Sequence, residues 1–86
     1  MSYSIELTAR FEKQLKRLSK KYPSVKSDVE KVGEQLKENP MLGAPLGHSC
    51  FKIRMSIASK GKGKSGGARL ISHVFVAKTT IYLLSV

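Results

Sequence analysis

The sequence predicts an α+β fold: an N-terminal strand, a two-helix hairpin, then a three-stranded antiparallel meander. Three observations carry that prediction. Apolar residues recur at helical spacing twice in the first half, at Phe11, Leu15, Leu18 and Tyr22 and again at Val25, Val29, Val32 and Leu36. From Phe51 the period shortens to two, with Phe51, Ile53, Met55 and Ile57 alternating against Lys52, Arg54 and Ser56. Proline and glycine punctuate the blocks, at Pro23, at Pro40 and in the run from Gly61 to Gly67.

Taken in order, Tyr3, Ile5 and Leu7 alternate against Ser2, Ser4 and Glu6, which predicts a short strand over residues 2–7. Thr8 is a candidate N-cap for the first helix. Arg10, Lys13, Lys16, Arg17, Lys20 and Lys21 fill the surface left by its apolar stripe. Pro23 closes this helix or opens the next. In the second helix Ser27 and Glu30 have capping-box spacing, while Ser24 offers an earlier start. Its charges nearly cancel, and Asn39-Pro40 ends it. Met41 to His48, rich in glycine and proline, reads as a surface connection.

The strand opening at Phe51 then breaks into a loop of lysine, glycine and serine. Arg69 to Val76 (RLISHVFV) is apolar enough on both faces to be a central strand. Ala77-Lys78-Thr79 makes a tight turn, and Thr80 to Val86 (TIYLLSV) is the last strand. No repeat or linker divides the chain, so residues 1–86 are expected to form one domain.

Charge points toward a partner. The formal net charge is +10, and all six acids precede residue 39. Beyond that point the chain carries Lys52, Arg54, Lys60, Lys62, Lys64, Arg69 and Lys78 and no carboxylate. A field of one sign suits a polyanion: nucleic acid, an acidic protein or an anionic membrane surface. The membrane reading is weak, because no apolar run approaches the roughly 20 residues that span a bilayer. The N-terminus lacks the apolar core of a signal peptide, so the expected location is cytoplasmic.

Several chemistries are excluded. A single cysteine, Cys50, allows neither an internal disulfide nor a cysteine-rich zinc site, and reads as a small buried apolar group. Only His48 and His73 offer ring nitrogens, and no carboxylate follows Glu38 to join them, so no metal is expected. Serine–histidine–acid catalysis fails for the same reason. GKGKS lacks P-loop spacing and precedes a strand rather than a helix, and no dinucleotide fingerprint is present, so no cofactor is expected.

What remains is cationic chemistry on a phosphodiester. Cutting RNA without a metal requires that the 2′-hydroxyl lose its proton, that charge on the phosphoryl oxygens be offset, and that the leaving 5′-oxygen gain a proton. Arginine grips phosphate through two hydrogen bonds, and a lysine among cations can act as a base. Lys52 and Arg54, two residues apart on a strand, project from one face, and Arg69 opens the neighbouring strand. These three are the candidate catalytic residues; the alternative is that they only solubilise an exposed sheet face. Lys13, Lys16, Arg17 and Lys20 on the first helix either follow a phosphate backbone or are simply solvated. Lys60, Lys62 and Lys64 in the loop supply non-specific attraction for RNA. His73 is either an acid or base titrating near neutrality or a packed polar residue, and Tyr82 reads as core or sheet surface.

The chain resembles the RelE/ParE superfamily of toxins from type II toxin–antitoxin modules. The residues that carry the resemblance are the helix-pair opening FEKQLKRLSKKYPSVKSDV, the helix exit with a downstream glycine LKENPMLGAPLG, the strand FKIR, the loop GKGKSGGARLI and the final IYLLSV. The loop is most similar to the RelE/HigB branch, whose members cleave mRNA in the ribosomal A site; members of the ParE branch poison DNA gyrase instead. The resemblance implies a ribosome-dependent mRNA endoribonuclease whose partners are mRNA, the ribosome and a cognate acidic antitoxin. It implies Lys52 as base or transition-state cation, with Arg54 and Arg69 as phosphate clamps. The family usually continues past its IYLLSV-like strand into a basic or tyrosine-containing segment and often a helix. That C-terminal segment is expected to be lacking here, which leaves a non-catalytic form that binds antitoxin or RNA as a further reading.

Overall fold

A computed structural model describes residues 3–60 and 67–86. The order of elements is β1 (Ser4–Leu7), α1 (Ala9–Lys21), α2 (Val25–Glu38), β2 (Ala44–Gly47), β3 (Cys50–Met55), β4 (Ala68–Phe75) and β5 (Thr80–Ser85). Short 3₁₀ turns, Ala58–Lys60 and Val76–Lys78, follow β3 and β4. The expected α+β plan with an N-terminal strand and two helices is present, and the sheet is larger than expected. It has five strands in the order β1-β5-β4-β3-β2. The antiparallel run after the helices has four strands rather than three, and β1 lies parallel to β5 at the other edge.

The added strand, β2, falls in the stretch read as a surface connection. Pro45 lies within it, and a proline in a strand is confined to an edge. The turn into β3 places His48 and Ser49 both at positive φ, 52° and 60°. That conformation usually selects asparagine and glycine, so this hairpin lacks the residues that announce one.

Both helices form for the reasons their residues supply. The Thr8 hydroxyl accepts a hydrogen bond from the Phe11 N–H at 3.2 Å and donates to the Leu83 carbonyl at 2.9 Å. One side chain thus caps α1 and ties it to β5. α2 starts at Val25, the earlier of the two starts considered, and the Ser27–Glu30 box is not used. Its end at Asn39 follows from Pro40, which disfavours helical backbone in the residue before it.

Both helices cover one face of the sheet. Phe11, Leu15, Val25, Val29, Val32 and Leu36 meet Ile53, Met55, Ile57, Leu70, Val74, Ile81 and Leu83 in a single buried cluster. Strand alternation sends the other residues of β3, β4 and β5 to the opposite, outer face. The position of Lys52 depends on two glycines. Gly43 has φ +106°, and a Cβ there would stand 2.5 Å from the Lys52 carbonyl oxygen. A Cβ on Gly67 would overlap the Met55 carbonyl, so only glycine brings the start of β4 against the end of β3.

Candidate nucleic-acid interface

The register of β3 and β4 decides how the candidate cations meet. Arg54 is directly opposite Arg69, Lys52 is opposite Ile71, and Cys50 is opposite His73. All of these residues lie on the outer face, whereas Ile53, Leu70 and Ser72 between them are buried under the helices. Directly opposed residues have Cβ atoms about 5 Å apart, so the two guanidinium groups share one patch. Among the described residues the one salt bridge is Lys37–Glu34 on α2, at 3.6 Å. The arginine pair therefore faces solvent with no carboxylate partner, an arrangement that costs stability and favours an anion from outside.

β5 pairs with β4 up to Ser85, which lies opposite Ile71. A hollow of about 410 Å³ between α2 and the β2–β3 edge is lined by Gln35, Leu42, Gly43, Ala44, Lys52, Ile53 and Arg54. A larger one, of about 550 Å³, opens off the end of β5, with Lys52, Arg69 and Ile71 on one wall and Leu18, Ser85 and Val86 on the other. Lys52 borders both, Arg54 the first and Arg69 the second. The three candidate catalytic residues are thus brought together.

The remaining candidates are distributed elsewhere. Lys13, Lys16, Arg17 and Lys20 are exposed on α1, which belongs to the layer behind the sheet. The same helix reaches the larger hollow through Leu18. Lys60 ends the 3₁₀ turn after β3, its Nζ 5.4 Å from the centre of the Tyr22 ring, with the Lys21 Nζ at 5.5 Å from the same ring. Lys62 and Lys64 lie outside the described residues. His73 is four residues beyond Arg69 on β4, about 13 Å along the strand. Its Nδ1 is 3.6 Å from the Cys50 Sγ, and its ring is stacked 6.4 Å from that of Tyr82. It groups with those residues rather than with the arginines. Cys50 is half-buried on this outer face, not a core residue as expected.

Sequence reasoning passed over one supporting group. Asp28, counted among the balancing charges of α2, is 5% exposed. Its Oδ2 accepts hydrogen bonds from the Ser24 hydroxyl at 2.9 Å and the Ala58 N–H at 3.1 Å. The Ser59 N–H donates to the Ser24 Oγ at 2.8 Å. These bonds fasten the chain just past β3 to the start of α2. The only signal was Asp28's position in the first helical turn, common for a solvated acid.

Solved structures share this architecture. The E. coli toxin RelE, an arginine-to-alanine double mutant in the free state, matches with a TM-score of 0.73 at 23% sequence identity, over 99% of this chain and 81% of that one. The chain has a RelE-like fold. A chain of the intact E. coli RelBE toxin–antitoxin complex matches with a TM-score of 0.75 at 22% identity, over 98% of this chain and 93% of that one. No protein-family model matches the sequence. In this RelE-like fold no helix among the described residues is long and apolar enough to cross a membrane.

Proposed function

We propose that residues 1–86 form the toxin domain of a toxin–antitoxin pair and that its outer sheet face cleaves mRNA on the ribosome. The observation that carries this reading is the opposition of Arg54 and Arg69, with Lys52 one row away, on the outer sheet face of a RelE-like fold. Cations so placed serve two of the three demands of phosphodiester cleavage, and water serves the third. Arg54 and Arg69 hold the non-bridging oxygens and offset the charge that builds on them. Lys52 takes the proton of the 2′-hydroxyl, or balances charge on the attacking oxygen if it remains protonated. The 2′-oxygen bonds to phosphorus as the bond to the 5′-oxygen breaks, and that oxygen takes a proton from water. The products are a cyclic 2′,3′-phosphate and a free 5′-hydroxyl.

The second partner in this proposal is an acidic antitoxin. The net charge of +10 favours it, and the likeness to a chain of the RelBE toxin–antitoxin complex supports it. Purified protein added to translating ribosomes, with mRNA ends mapped by primer extension, tests the reading. New ends are expected with the unaltered chain and are expected to vanish with Lys52→Ala or Arg69→Ala. Intact mRNA together with blocked gyrase supercoiling would replace the nuclease reading with a ParE-like one.

A further inference from the structure

The outer sheet face continues past the cations into a row that the cleavage reading leaves without a role. Cys50, His73, Tyr82 and Glu6 follow one another across β3, β4, β5 and β1 in register. The His73 and Tyr82 rings lie at 29° with centres 6.4 Å apart, and Phe75 meets His73 edge-on at 6.4 Å. Among the described residues no helix covers these rings. His73 and Tyr82 are half-buried and Phe75 is 39% exposed.

We propose that this row is a base-stacking platform for a single-stranded RNA whose phosphates are gripped by Arg54 and Arg69. The inference rests on the RNA reading above and extends it to the nucleobases. Single-stranded RNA is bound on sheet faces by stacking splayed bases on aromatic and histidine rings, while neighbouring cations hold the backbone. Both parts are present on this face and in separate places. The arginine pair marks one end, and Lys52 and Ile71 stand halfway. The rings begin about 13 Å along β4, a span that needs more than one nucleotide. At the far end the Lys78 Nζ is 5.6 Å from the Phe75 ring centre, a further cation for a downstream phosphate. Across the row the exposed carboxylate of Glu6 beside Tyr82 repels phosphate from the β1 edge, so the strand runs along β4 rather than across it. The Cys50 Sγ against the His73 Nδ1 at 3.6 Å steadies the imidazole in the row.

Two strands with the same number of phosphates separate stacking from charge: a 2′-O-methyl oligonucleotide, which cannot be cut, and an abasic strand of equal length. The unaltered protein is expected to bind the base-bearing strand about tenfold more tightly, the difference attributable to stacking. Tyr82→Leu keeps an apolar residue in β5 and is expected to remove that difference while leaving abasic affinity and its salt dependence unchanged. Tyr82→Phe keeps the ring and is expected to retain it. Circular dichroism checks that the variants fold, and His73→Leu makes the same test from β4 if Tyr82→Leu does not. Arg54→Ala is expected to weaken both strands alike. Equal affinity of the unaltered protein for the two strands, or a difference that survives loss of the ring in a folded variant, overturns the platform. Failure to bind either strand overturns the RNA reading itself, and the platform with it.

Discussion

The carboxylate of Asp28, buried on α2, accepts a hydrogen bond from the Ala58 N–H at 3.1 Å. This bond spans thirty residues of sequence and fixes where the chain leaves β3, beside Arg54, which borders the same small hollow as Asp28. Removing the acceptor takes away the partner of the Ala58 N–H, while the Ser24 hydroxyl keeps the Ser59 Oγ at 2.9 Å. Asp28→Ala is therefore expected to lower unfolding free energy by about 2 kcal/mol, within the range for unsatisfied buried groups. Urea unfolding followed by circular dichroism measures this. Faster hydrogen exchange at Ala58 and Ser59 locates the effect, and Asp28→Asn, which keeps an acceptor oxygen, is expected to recover part of it.

Gly43 makes the second prediction. Gly43→Ala must place a methyl group 2.5 Å from the Lys52 carbonyl oxygen at a backbone φ of +106°. Strain of this kind costs on the order of 1–3 kcal/mol. For a domain of this size a loss of 1 kcal/mol lowers Tm by about 4–8 °C, so a drop of that order or more is expected in a thermal scan. Unchanged Tm would mean that the chain between α2 and β2 has room to move off β3.

The arginine pair predicts a trade of stability against function. Like charges directly opposite on a sheet face destabilise it by up to about 1 kcal/mol. Arg54→Gln or Arg69→Gln is expected to leave stability unchanged or slightly raised, and to reduce the gain in stability expected of the unaltered protein with added salt. The same variants are expected to lose about 10²-fold or more in mRNA cleavage, the scale for removing one transition-state donor. Parallel denaturation and primer-extension series measure both. A variant that loses activity and stability together would mark the pair as structural.

How much of this was legible in the residues depends on the range of the interaction involved. The apolar stripes of α1 and α2 are local and were read in full, as was the Thr8 cap. Lys52 and Arg54 were read onto one face because strand alternation is also local. The partnership of β1 with β5 was not legible, since Ile5 and Ile81 are paired through a parallel contact that no turn announces. β2 was hidden by Pro45 and by a turn built on His48 and Ser49 rather than on asparagine and glycine. Asp28 looked like any first-turn acid because its partner, a backbone N–H, has no side-chain signature. The row from Cys50 to Tyr82 needed the register of three strands, which emerges only from the folded sheet.

Ser72 supplies the last prediction. It faces the core from β4 at 0% exposure, opposite Phe51 on one side and Leu83 on the other. Its hydroxyl has no hydrogen-bond partner among the described residues. A buried hydroxyl left unpaired costs about 1–3 kcal/mol, whereas the alanine methyl needs no partner and leaves almost no void. Ser72→Ala is thus expected to raise stability by about 1 kcal/mol, read as a higher urea midpoint at unchanged m-value. Because Ser72 faces away from Arg69, His73 and Tyr82, binding to RNA is expected to be unaffected. A lower midpoint would mean that the hydroxyl finds a partner in solution, most simply a buried water.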